Sequence, residues 1–277
     1  MKAIAQIFLI LSTFILGCSD STTTSNGSIL SKIRDLSPGL SSSEKQRLKS
    51  QIKLIQANLS SNEILSETVF QQQAARINAC VQMTGIIAEG VGASTSSTNR
   101  VLSSMSTDEI LADTVFQQIA VRLSGLINML AVTAESAGAK STEISLIKTM
   151  ISTDEISANN VNQQIAVRLS GCVTMAQALC SAKGVSAGDT ASVISSVSSN
   201  EILADTVFQQ MAIRQSGLTK MLELMALRTG ASIASVANIN SNISSNEILT
   251  NTVQQQLANR IWGSFKMLSL IAETIIE

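Results

Sequence analysis

Residues 198–217 read SSNEILADTVFQQMAIRQSG, and residues 106–125 read STDEILADTVFQQIAVRLSG. Looser copies start at Ser60, Ser152 and Ser244, so five copies follow one another at a constant step of 46 residues. Self-similarity at such a period is the signature of stacked supersecondary units. Each copy opens with a Ser and carries a Glu three residues later: Ser60/Glu63, Ser106/Glu109, Ser152/Glu155, Ser198/Glu201 and Ser244/Glu247. That pairing matches a capping box, and the flanking apolar residues, such as Leu59 and Ile64, match a hydrophobic staple. The pattern predicts that a helix starts at each Ser.

The apolar positions of the second copy run Ile110, Val115, Ile119, Leu123, Leu126, Leu130 and Thr133. Such a stripe predicts an amphipathic helix of about 27 residues. Gly125, Gly171, Gly217 and Gly263 fall inside it, with Ala79 in the first copy. An obligatory left-handed turn does not readily accept Ala, so a small residue at a close helix crossing is the preferred reading. A break there, giving three helices per unit as in armadillo-like arrays, is the alternative. The second half of each unit has diverged and holds a Gly-containing turn and a short return helix. The expected fold is all-α: a helical repeat array, either an α-solenoid or a repeat bundle. Its five units are 60–105, 106–151, 152–197, 198–243 and 244–277. Residues 29–59 are expected to form an N-terminal cap or half-repeat, and the Trp262/Phe265 copy a C-terminal cap, since arrays need a water-facing end.

The chain begins MKAIAQIFLILSTFILGC. Lys2 is followed by an apolar run too short for a spanning helix, which needs about 20 residues. This is the layout of a secretory signal. Residues 15–18, ILGC, resemble the lipobox of bacterial lipoproteins. The resemblance implies cleavage after residue 17 and a lipid on the thiol of Cys18, which would tie the chain to a membrane. Residues 18–28 then form a polar tether that cannot build a core. No later segment is expected to reach a spanning length. The resemblance points to the bacterial cell envelope, at the outer membrane or cell surface rather than the cytoplasmic membrane.

Without Lys2 the chain holds 18 Lys+Arg against 20 Asp+Glu, a net charge of −2. Nucleic-acid binding needs a basic face, so no such partner is expected. The chain has no His. It also lacks a G-x-S-x-G elbow, a phosphate loop and metal-ligand spacing, so neither an enzyme nor a cofactor is expected. Cys80, Cys172 and Cys180 read as buried apolar fillers.

Two polar features recur in every unit. The Gln pairs are 71/72, 117/118, 163/164, 209/210 and 255/256, and the Args are 76, 122, 168, 214 and 260. Either these groups satisfy one another between neighbouring helices, or they line a surface that grips an anionic or extended ligand. On the second reading the ligand contacts are Gln71, Arg76, Gln117, Arg122, Gln163, Arg168, Gln209, Arg214, Gln255 and Arg260. The function expected overall is a lipid-anchored, non-catalytic scaffold that binds an envelope protein, a peptide or a polysaccharide. The alternative is a lipoprotein carrier with an apolar ligand held between its helices.

Overall fold

A computed structural model describes residues 39–277. The signal peptide, Cys18, the tether and the first part of the expected N-terminal cap lie outside the described residues. Ten helices account for 83% of those residues, and no strand occurs among them.

Outer and inner helices alternate, and after the first pair the outer ones are the shorter. Helices α1 (Ser42–Ile64), α3 (Thr95–Ile110), α5 (Ser141–Ile156), α7 (Ala187–Glu201) and α9 (Ile233–Ile248) are mostly exposed. Helices α2 (Val69–Gly90), α4 (Val115–Ser136), α6 (Val161–Ala182), α8 (Val207–Thr229) and α10 (Val253–Ile276) carry most of the buried residues. The long helices pack side by side in chain order, and α10 packs against α2. The result is a closed ring of five inner helices. Each outer helix lies on the inner helix that follows it, and also touches the preceding one.

Closure corrects the expectation of two water-facing caps. Helix α1 covers the junction of α10 and α2, and Lys45 donates to the carbonyl of Glu277 at 3.1 Å. Phe265 is 2% exposed and belongs to the core. A closed ring buries the apolar flanks of its first and last inner helices against each other, so no polar end face is required.

The expected helix starts are also corrected. Ser60, Ser106, Ser152, Ser198 and Ser244 lie inside the outer helices, close to their C-terminal ends. The inner helices begin eight residues later, at Thr68, Thr114, Asn160, Thr206 and Thr252. Each of these side chains accepts from the backbone N–H of a Gln three residues on. In the four Thr copies the same Gln reaches back to the N–H of the cap, completing a box. Such a cap contributes about 1 kcal/mol. The stretch therefore holds two helices and a tight turn, and the inner helix of the second copy has 22 residues rather than about 27.

The recurring Gly has the role given to it above. Helix α4 runs unbroken through Gly125, and a Cβ there would collide with Met105 of the outer helix. Gly171, Gly217 and Gly263 receive Ile151, Val197 and Ile243 in the same way. Of the residues that resembled a staple, those just before the Ser, namely Met105, Ile151, Val197 and Ile243, are thus knobs seated on a glycine. A different set, Gly92, Gly138, Gly184 and Gly230, has positive φ and ends the inner helices. There a bond spanning five residues, such as Ala139 N–H to the Ala134 carbonyl at 2.8 Å, closes the last turn.

Candidate functional site

Each recurring Arg forms an ion pair with the Glu thirteen residues before it: Arg76–Glu63, Arg122–Glu109, Arg168–Glu155, Arg214–Glu201 and Arg260–Glu247. The Glu sits in the last turn of an outer helix and the Arg in the third turn of the next inner helix. The pair therefore clamps the connecting turn. Three of the Args also bridge to the preceding inner helix. Arg76 donates to the Ala258 carbonyl at 2.7 Å, Arg214 to Ala166 at 2.6 Å and Arg260 to Ala212 at 2.8 Å. The Arg76 bond crosses the closure of the ring with the same donor and acceptor positions as the other two. The closing junction between α10 and α2 thus has the same register as those between α6 and α8 and between α8 and α10. The Arg214 side chain is 5% exposed and its Glu201 partner 13%, which makes this the most buried pair.

The first Gln of each pair, namely Gln71, Gln117, Gln163, Gln209 and Gln255, is the capping residue described above. The second Gln is half-buried in all five copies. The ten residues considered as ligand contacts are distributed around the ring, each Arg on its own Glu. Gln209 and Arg260 share a groove, an open cleft of about 590 Å³ between α7, α8 and the start of α10. Lys220, Asn200 and Gln256 also line it.

The axis of the ring is filled. Layers such as Cys80, Leu126 and Leu218, and Thr84, Leu130 and Leu222, leave a cavity of only about 10 Å³. That is roughly the space of one water probe, far below what an acyl chain occupies. Gln215 donates to the Ser264 hydroxyl at 2.8 Å within this core, and Thr219 lies 2.8 Å from the same hydroxyl. The five methionines at 83, 129, 175, 221 and 267 are fully buried. Met129 lies against Gly85 of the neighbouring inner helix, so this column is packing between ring members. Cys80, Cys172 and Cys180 are buried free thiols. Burial pushes the thiols of Cys80 and Cys180 up to about 12 and raises that of Cys172 as well, which removes the reactive thiolate at neutral pH.

Among the described residues no group of three or more acidic, Cys or His side chains is placed to hold a metal ion. Helices α4 and α6 are long and apolar enough to cross a membrane by length and composition, contrary to the expectation from the sequence. In the ring, 50% and 67% of their most apolar windows are buried against other helices. Shared inner-helix burial on several sides explains this apolarity.

Sequence reasoning missed the most unusual surface. At the junction of each outer and inner helix the invariant Ile stands in solvent: Ile64, Ile110, Ile156, Ile202 and Ile248. The Leu that follows it in four copies, at 65, 111, 203 and 249, is exposed too, and all nine side chains are at least 76% exposed. The signal lay in the spacing: Ile110 to Val115 is a step of five in a stripe that otherwise advances by three or four. No protein-family model, curated protein or solved structure matches the chain.

Proposed function

We propose that this chain is a lipid-anchored, non-catalytic scaffold of the bacterial cell envelope. Its ten described helices are read as five outer–inner units of 46 residues. The observation that carries the anchoring is the charged start, apolar run and ILGC tetrapeptide of residues 1–18. A thiol at that position would carry the lipid, and acyl chains anchor because each buried CH₂ contributes about 0.8 kcal/mol. The outer membrane or the cell surface is the proposed location.

The filled axis and the absence of reactive thiols among the described residues favour a scaffold over a carrier or a catalyst. A carrier for an apolar ligand needs a hollow, and a space of about 10 Å³ is too small. A rigid ring with repeated features on one face suits multivalent binding instead, because several weak contacts presented together gain by effective concentration. Labelling of cells with radioactive palmitate tests the anchor. The wild-type chain is expected to take up label and Cys18→Ala to lose it. Undiminished labelling of the variant would overturn the anchoring.

A further inference from the structure

The outer helices run antiparallel to the inner ones, so all five outer-to-inner turns emerge on one face of the ring. The shared register at three of the five junctions, the closing one included, aligns the turns of the helices that meet there. This face carries the exposed Ile and Leu side chains. The fold does not use them. They lie at the C-terminal ends of the outer helices and are at least 76% exposed, with Leu203 at the edge of the cleft between α7 and α8. Yet the Ile is identical in all five copies. The buried axis position at 80, 126, 172, 218 and 264 has meanwhile become Cys, Leu, Cys, Leu and Ser. All positions of a unit have had equal time to diverge since duplication. An exposed side chain held more strictly than a core one needs a reason outside the fold.

Charge narrows the occupant. Glu67, Asp108, Asp113 and Asp205 are exposed on the same turns and form no ion pair. The cations of these segments are the five Args, each already bonded to a Glu. The face is therefore apolar and net negative. A second copy of the same face would bring like charges together, and an anionic lipid surface would be repelled. We propose that this face docks a polypeptide that presents apolar side chains beside Lys or Arg, as a basic amphipathic helix does. The third unit is the weak point of this face, because Ser157 stands where the other four units have Leu, and Asn159, like Asn251 in the fifth, stands where the others have an acid. The proposal rests on the scaffold reading above and names its binding surface.

The test uses the full chain in phosphatidylcholine nanodiscs and a synthetic Leu/Lys amphipathic helical peptide bearing a photo-crosslinker. Crosslinked residues are mapped by mass spectrometry, for the wild type and for the variant Ile110→Ser/Leu111→Ser/Ile202→Ser/Leu203→Ser. Circular dichroism checks that the variant keeps its helix content. The expected result is crosslinking concentrated in residues 60–70, 106–116 and 198–208, and binding about tenfold weaker in the variant. Ser157→Leu is expected to strengthen binding. Equal binding by wild type and variant, or none by either, overturns the proposal. So does crosslinking of these turns to photoactivatable lipid in place of peptide, which would make the face a membrane contact, or crosslinking between two copies. The palmitate experiment reads a different part of the chain, so failure of the docking and failure of the anchor are told apart.

Discussion

Among the described residues five tight turns lead from outer to inner helices on one face of the ring and four lead back on the other, and the two sets have been treated differently. On the far face, the turns after α2, α4 and α6 read VGAS, AGAK and KGVS, at residues 91–94, 137–140 and 183–186. Only the left-handed Gly is constant, because only that backbone conformation is required there. On the near face, residues 109–114 and 201–206 both read EILADT. The Glu clamps an Arg and the Thr caps the next helix, which accounts for those two residues. The Ile and Leu between them answer to nothing in the fold. Over all five near-face turns the Glu and the Ile are constant, and of these two only the Glu has a partner in the fold.

The sharpest way to break this comparison is to remove the near-face clamp. Arg214→Ala leaves the mostly buried Glu201 carboxylate without its ion-pair partner and removes the bridge to the Ala166 carbonyl, and it is expected to cost about 3 kcal/mol in urea unfolding. A loss below about 1 kcal/mol would mean that the turns hold their shape without the ion pair. The next contrast sets a far-face requirement against a near-face one. Gly138 has φ +105° and open space around an added Cβ, so Gly138→Ala costs backbone strain alone, about 1 kcal/mol. Thr114→Ala removes one cap and is expected to cost about the same. Thermal melts of both variants would show whether the two turns are equally demanding. The smallest effect is expected from the residues kept most strictly. Ile110→Ser together with Leu111→Ser should change stability by no more than about 0.5 kcal/mol, since neither side chain is buried. A loss above about 2 kcal/mol would return these side chains to the core and remove the reason to seek a partner.

Several features were legible before any tertiary contact was known. The all-helical class followed from the 46-residue period and the apolar stripe. The inner Gly was read as a close crossing because Ala replaces it once, and Met105 against Gly125 is that crossing. The structural option for the recurring Arg, a carbonyl, Gln or Glu of the next copy, differs from what is found: the Glu partner lies in the same copy, and Arg76, Arg214 and Arg260 also reach a carbonyl of a neighbouring one. The helix starts were misplaced because S-x-x-E and T-x-x-Q are both capping patterns, and they lie eight residues apart in four copies, with Asn160 in place of the Thr in the third. Local motif alone does not choose between them. The choice is made by which side of the turn the buried stripe begins on, and that depends on what the helix packs against.

The sequence by itself determined the period, the helical class and the residues that must be small, because these depend on spacing and side-chain volume along one segment. The tertiary structure decided that the array closes. Closure depends on the small rotation between successive units, which no single unit encodes, and on α10 meeting α2 nearly two hundred residues away. It also decided that the invariant Ile is a surface residue, because burial is a property of neighbours that only the assembled ring supplies.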